Sequence, residues 1–139
     1  MNKHGNDFEI IINHIRKELS PKLIYLFGSF AKKRQNDESD IDIAFLCEKK
    51  TDLSVLYNLQ LTLGLLAKRD VDLIDMQDID IPFKVEIISS HCPIYSFDED
   101  FRLEFEMNLL SRYQKLNEER EVIFSKKLNL PGDVLWKLF

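Results

Sequence analysis

The segment Leu23–Leu46, LIYLFGSFAKKRQNDESDIDIAFL, decides the fold of this 139-residue chain. It opens with five apolar residues, Leu23–Phe27, and such a short continuous run predicts a strand buried on both faces. It closes with Asp40–Leu46, which begins with alternating polar and apolar residues, as a strand with two different faces does. Because alternate side chains share a face, Asp40 and Asp42 are predicted to lie together at the start of this second strand.

The connection between the two strands begins with Gly28 and Ser29, and a short helical turn is predicted at Phe30–Arg34. Glycine allows the backbone to approach a ligand closely, and N–H groups at a helix start favour an anion such as phosphate. Lys32 and Arg34 carry charges that suit a triphosphate. A plain solvated turn explains these residues as well, so the segment alone does not identify a site.

Asp40 and Asp42 are candidate ligands for divalent metal ions. Residues two apart on a strand have Cα atoms about 6.5–7 Å apart, and a two-metal site holds its ions roughly 3.5–4 Å apart. Aspartate is unfavourable inside a strand, so two on one face indicate a position that is solvated or loaded with metal. The alternative is a pair of solvent-facing acids where a strand follows a polar loop.

A third carboxylate, Asp72, lies in the apolar stretch VDLIDM, Val71–Met76, which predicts another strand. If this strand joins the sheet next to the second one, Asp72 completes a group of three acids. Asp75 is an odd number of residues away and is therefore expected on the opposite face. The alternative for Asp72 is a strand-end acid that pairs with Lys68 or Arg69.

The remaining sequence predicts four helices and one short edge strand, from apolar periodicity and from capping residues. The helices are expected at Asp7–Leu19, Leu53–Lys68, Ile81–Ser90 and from a capping box of Ser96 with Glu99 to about Lys127, and the edge strand at Pro93–Tyr95. The predicted fold class is α/β or α+β, a small mixed sheet with flanking helices. We expect a single domain over 1–139, with core motifs in 23–76 and a C-terminal helical part at 96–139.

Composition excludes several classes of protein. The net charge of -5 argues against a bulk electrostatic grip on nucleic acid, so no direct nucleic-acid binding is expected. No apolar run approaches the roughly 20 residues that span a bilayer, so no membrane association is expected. The two cysteines, Cys47 and Cys92, form no CxxC pair, which predicts neither a disulfide framework nor a zinc site and fits a cytoplasmic location.

Taken together, the motifs resemble those of the nucleotidyltransferase superfamily typified by DNA polymerase β and kanamycin nucleotidyltransferase. That superfamily carries Gly-Ser, about ten residues, Asp-x-Asp, and a third acid on a later strand. Here Gly28-Ser29 is followed by the ten residues Phe30–Ser39, by Asp40-Ile41-Asp42 and later by Asp72. The resemblance implies a polymerase β-like nucleotidyltransferase fold. It also implies catalytic and metal-binding roles for Asp40, Asp42 and Asp72, and nucleotide-binding roles for Gly28, Ser29, Lys32 and Arg34.

More narrowly, the chain resembles the minimal nucleotidyltransferases (MNT), the antitoxin halves of HEPN/MNT toxin–antitoxin pairs. Its small size, its helix ahead of the Gly28-Ser29 strand and its long C-terminal helix fit this group. The resemblance implies transfer of AMP from ATP, assisted by two Mg²⁺ ions, to a tyrosine of a cognate HEPN ribonuclease toxin. That transfer would silence the toxin.

Two alternatives stay open. A non-catalytic antitoxin would block its toxin by docking alone, although a pure binding protein has no need of aspartates in strands. A transferase acting on a small molecule such as an aminoglycoside would need a preformed acceptor pocket, and the short helical segment after Met76 leaves little chain to build one. The apolar tail Val134–Phe139 indicates a homo- or hetero-oligomer.

Overall fold

The computed structural model describes residues 5–28, 40–90 and 92–128. The elements in these ranges are α1 (Gly5–Leu19), β1 (Leu23–Phe27), β2 (Ile41–Leu46), α2 (Leu53–Ala67), β3 (Val71–Asp75), α3 (Ile81–Ile88), β4 (Pro93–Ser96) and α4 (Glu99–Leu128), with a 3₁₀ turn at Met76–Asp78. The predicted helices and strands are confirmed there, most to within one or two residues. The predicted helical turn at Phe30–Arg34 and the apolar tail Val134–Phe139 lie outside the described residues.

The four strands form one mixed sheet in the order β3-β2-β1-β4. β1 pairs antiparallel with both β2 and β4, whereas β2 pairs parallel with β3. A parallel pair needs a crossover connection, and α2 provides it. The predictions of a mixed sheet and of an edge strand beginning at Pro93 are both confirmed.

The sheet is covered on both faces. One face packs against α1 and α2, and the other packs against α3 and α4. β1 contributes buried residues to both faces, as its continuous apolar run predicted. The two faces bury these core residues, respectively: Ile11, Ile15, Ile24, Leu26, Ile41, Ile43, Phe45, Leu59, Leu63 and Leu73; and Leu23, Tyr25, Ala44, Leu46, Met76, Ile87, Ile88 and Leu109.

The N-terminal end of the last helix differs from the sequence prediction. Ser96 belongs to β4, and α4 begins only at Glu99. Asp98 directly precedes the helix, and its carboxylate accepts the N–H of Asp100 at 3.0 Å. The assignment of Ser96 as the cap was therefore two residues early, because Ser and Asp are equally good capping residues and both were available. None of the helices within the described ranges is long and apolar enough to cross a membrane.

A buried hydrogen-bond network joins α4 to the sheet. The hydroxyl of Tyr25, in β1, donates to the Glu106 carboxylate at 3.0 Å, and Arg102 binds the same carboxylate at 2.9 Å. Tyr25 is fully buried, and this burial, together with the Glu106 carboxylate, raises the pKa of the phenol above its usual range. Tyr25 is therefore a neutral donor that helps to hold α4 in place.

We expect Tyr25→Phe to lower the free energy of unfolding by about 1–2 kcal/mol, because it removes one hydrogen bond to a carboxylate from a buried site. Urea unfolding measures the change. The matched control is Tyr57→Phe, whose side chain is 61% exposed and which should change stability by less than about 0.5 kcal/mol. Equal losses in the two variants would contradict this role for the network.

Candidate active site

The sheet brings Asp42 and Asp72 together. In the parallel pairing of β2 with β3, Asp42 is the direct register partner of Asp72. On its other side, Asp42 faces Phe27 across the antiparallel pair of β2 with β1. Side chains at directly opposed positions of neighbouring strands lie on the same face, so the two carboxylates stand next to each other.

The electrostatics of Asp42 reflect this crowding. Its pKa is raised, first by partial burial, then by the negative charges of Asp72 and Asp40, and finally by a hydrogen bond with the Asp72 side chain. Asp42 is half-buried, whereas Asp40 and Asp72 are exposed. The three acids are therefore one electrostatically coupled cluster that is open to solvent.

Gly28 directly follows β1 and packs against the Asp42 side chain. Its backbone φ is +72°, a left-handed conformation that residues with a Cβ rarely adopt. A Cβ at this position would stand 3.1 Å from Cγ of Asp42 and closer still to one of its carboxylate oxygens. The missing side chain of Gly28 therefore leaves the space that the Asp42 carboxylate occupies.

The acid cluster fits a divalent cation by charge and by ligand type. Carboxylate oxygens are the ligands that Mg²⁺ prefers, and a cation between Asp42 and Asp72 would remove their mutual repulsion. Among the described residues, however, no three His, Cys, Asp or Glu side chains already form a group that could hold a metal ion. Neither Cys47 nor Cys92, both among the described residues, forms a disulfide.

Asp75 has a different role from Asp72, as its position in the strand predicted. It is only 4% exposed, and its carboxylate accepts the N–H groups of Thr51 at 2.8 Å and Gln77 at 2.9 Å. It therefore stabilises the end of β3 and the 3₁₀ turn that follows. Both aspartates lie in one strand, but their side chains lie on opposite faces of the sheet. Asp75 is therefore a structural acid, and Asp72 belongs to the cluster.

Three of the predicted nucleotide-binding residues, Ser29, Lys32 and Arg34, lie outside the described residues. Gly28, the fourth, is in contact with Asp42. The structure thus brings together Asp42, Asp72 and Gly28, with Asp40 close enough to affect the pKa of Asp42.

Sequence reasoning missed one part of the site. An open depression of about 670 Å³ runs from Asp40 and Asp72 to the exposed side of α2, where Leu61, Leu65 and Lys68 line it. The available signal was the composition of α2, whose 15 residues include no charged side chain. Exposed leucines on a surface helix without any charged residue indicate a partner.

Residues 9–100 match the protein family described as Polymerase beta, Nucleotidyltransferase. Because this match spans more than half of its length, the chain belongs to that family of nucleotidyltransferases. The membership expected from the Gly-Ser and Asp-x-Asp spacing is therefore confirmed.

The individual relatives are more specific. The chain is 32% identical over 102 residues to the protein adenylyltransferase MntA of Shewanella oneidensis, with 73% of each chain covered. A crystal structure of a toxin–antitoxin with AMP-PNP is similar with a TM-score of 0.73 at 29% identity, covering 88% of this chain and 98% of the other. A structure of tri-AMPylated Shewanella oneidensis HEPN toxin in complex with MNT antitoxin is similar with a TM-score of 0.69 at 27% identity, covering 88% and 97%.

We expect Asp42→Asn to raise the melting temperature of the metal-free protein by a few degrees at neutral pH, because it removes a repelled, half-buried charge. The raised pKa of Asp42 fixes the sign. Below the usual aspartate pKa, the carboxyl is protonated in both folded and unfolded states, so wild type and variant should melt alike. The difference should grow as pH rises from the usual aspartate pKa and level off above the raised pKa of the folded state.

Thermal unfolding in EDTA from about pH 3 to about pH 8 measures this difference. Asp75→Asn is the control with the opposite sign. It disturbs two hydrogen bonds to backbone N–H groups, and it should lower the melting temperature at neutral pH. A loss of stability in Asp42→Asn would contradict a repulsive cluster.

We expect Gly28→Ala to cost about 1–3 kcal/mol of unfolding free energy, since it places a Cβ at a positive φ and against Asp42. Gly64→Ala is the matched control, because Gly64 lies inside α2 and its Cβ would make only a 3.4 Å contact with the Arg69 carbonyl. There the change from glycine should stabilise the helix by roughly 0.5–1 kcal/mol. Denaturant unfolding measures the change in unfolding free energy for both variants. An unchanged unfolding free energy in Gly28→Ala would rule out the close contact.

Proposed function

We propose that this chain is a protein adenylyltransferase that transfers AMP from ATP to a hydroxyl, most simply a tyrosine, of a cognate HEPN-type toxin, and so acts as its antitoxin. The observation that carries the proposal is the register pairing of Asp42 with Asp72 beside Gly28, in a chain of the nucleotidyltransferase family. The relative named protein adenylyltransferase MntA and the solved toxin–antitoxin complexes support the choice of a protein acceptor.

In this proposal, Asp40, Asp42 and Asp72 would hold two Mg²⁺ ions. When bound, Mg²⁺ neutralises phosphate charge and lowers the pKa of a coordinated hydroxyl. The raised pKa of Asp42 supports this assignment, because crowded carboxylates gain the most from a cation. Mg²⁺ and ATP are thus the proposed cofactor and substrate.

The residues of the chain orient the reaction. The acceptor oxygen attacks the α-phosphorus of ATP, a new P–O bond forms, the bond to the bridging oxygen breaks, and pyrophosphate leaves. Asp72 is exposed and accepts the proton of the attacking hydroxyl. Gly28 has no side chain and so leaves room for the Asp42 carboxylate. Ser29, Lys32 and Arg34 are proposed to bind the phosphates.

The whole chain, 1–139, is proposed to act as one nucleotidyltransferase domain in the cytoplasm, with the acceptor supplied by the partner protein. Two features of the described residues support a protein acceptor over a small molecule. The acid cluster opens to solvent, and the depression beside it is open rather than an enclosed acceptor pocket.

The test is an adenylylation assay. The protein is mixed with Mg²⁺, ATP and the product of the adjacent gene, and both proteins are weighed by intact mass spectrometry. We expect the partner to gain about 329 Da per transferred AMP, or a multiple of this mass. Asp42→Asn should reduce the rate by about three orders of magnitude, because it removes a charge that acts in the transition state.

The matched control is Asp78→Asn, which changes an exposed aspartate that pairs with Lys50 at 2.8 Å, away from the cluster, and should transfer AMP at the wild-type rate. A stable complex without any gain in mass, with each of the four nucleoside triphosphates, would overturn the catalytic proposal in favour of a docking antitoxin. Turnover with an aminoglycoside in the absence of the partner would favour a small-molecule transferase.

A further inference from the structure

An exposed apolar row follows one side of α2. Leu53, Tyr57, Leu61 and Leu65 are spaced four residues apart, so each is the neighbour of the next on the helix surface. Their exposed fractions are 70%, 61%, 50% and 81%. At 1.5 Å per residue the row is about 18 Å long, which matches a single short element of a partner protein. We call these four side chains the α2 row.

The α2 row is not needed for the core. α2 packs on the sheet through other residues, chiefly Leu59, Leu63 and Ala67, which are all buried. No residue of α2 is charged, and the exposed polar side chains Ser54, Asn58 and Thr62 lie beside the row rather than within it. An exposed apolar row on an uncharged helix indicates a surface that another molecule covers.

The α2 row leads directly to the acid cluster. Leu61 and Leu65, at its C-terminal end, line the same depression as Asp40 and Asp72. A polypeptide that lies along the row therefore reaches the carboxylates that are proposed to hold Mg²⁺ and to receive the acceptor proton. Leucine side chains do not bind a triphosphate, so the row suits the acceptor protein rather than the nucleotide.

A second copy of this chain is a poorer occupant. If two copies packed α2 against α2, Leu61 and Leu65 would be covered, and the side of the depression that leads to Asp40 and Asp72 would close. The acids would then be screened from an acceptor on that side. A protein acceptor covers the same leucines while it brings its own hydroxyl to the acids.

We propose that the α2 row is the docking surface for the protein acceptor, and that Leu61 and Leu65 position the acceptor segment at Asp72. This inference rests on the proposed function, since it assumes that the acceptor is a protein. The partner should present an apolar segment next to its acceptor hydroxyl. The depression is lined by the carboxylates Asp40, Asp70 and Asp72 and by the cations Lys68 and Arg69, so a segment that enters it meets both signs of charge.

The test compares two double variants. Leu61→Asn with Leu65→Asn changes the α2 row, and Leu103→Asn with Met107→Asn changes a pair on α4 with the same spacing and with exposed fractions of 50% and 69%. The probe is the product of the adjacent gene, and calorimetry measures its Kd for each variant. We expect the α2 double variant to raise the Kd about 10–100-fold, because it loses central apolar contacts. The α4 double variant should leave the Kd unchanged.

Kinetics separate docking from chemistry. The α2 pair should raise KM for the protein acceptor and leave kcat near the wild-type value, because neither leucine contacts the reacting atoms. The Kd for Mg-ATP, measured without the partner, should be unchanged in both variants. Thermal unfolding checks that each variant is folded.

The remaining outcomes have distinct meanings. The docking surface is overturned if the α2 double variant keeps the wild-type Kd and KM, or if the α4 double variant loses as much affinity for the partner. The proposed function still stands in that case, provided that the wild-type protein transfers AMP. A wild-type dimer in light scattering that the α2 pair converts to monomers would assign the row to a second copy instead. If the partner binds through the row but never gains AMP, the proposed function fails and the interaction surface stands. If wild type binds no partner, both proposals fall.

Discussion

Repulsion between two carboxylates is the constraint around which this structure is arranged. Asp42 and Asp72 are register partners on adjacent parallel strands, and partial burial together with the charge of Asp72 raises the pKa of Asp42. A folded protein keeps such a pair together only if its backbone is fixed by interactions elsewhere. Here the apolar cores on both faces of the sheet fix it. A one-residue slip of β2 or β3 would move the side chains of each core to the other face of the sheet and disrupt the packing of both cores, so the strands cannot shift to separate the acids.

Much of this arrangement could be predicted from the sequence, because it depends on periodicity. Alternation in Asp40–Leu46 placed Asp40 and Asp42 on one face, and the odd spacing of Asp72 and Asp75 placed these two acids on opposite faces. The structure agrees, and it adds that Asp75 is a buried acceptor of two backbone N–H groups. The pattern within one strand predicts the face on which each side chain lies, but it does not predict which strands are neighbours in the sheet. The pairing of Asp42 with Asp72 therefore had to be expected from the family resemblance.

Other features could not be predicted, for identifiable physical reasons. The start of α4 was placed at Ser96 because Ser96 and Asp98 are both good caps, and the choice depends on where β4 stops pairing with β1. The α2 row could not be predicted because α2 has leucines on several sides. Its sequence therefore does not show which side faces the core. Only the packing of α2 on the sheet distinguishes its covered side from its exposed side.

The crossover helix connects these two findings. A parallel neighbour for β2 requires a crossover, so α2 is what places Asp72 beside Asp42. The Gln60 side chain of α2 also accepts the Leu73 N–H at 2.9 Å, which covers the outer edge of β3 one residue after Asp72. The helix that carries the exposed row is thus hydrogen-bonded to the strand that carries the acid. Its position relative to that acid is fixed by the same contact that protects the sheet edge, so a segment that docks on the row meets Asp72 at a defined place.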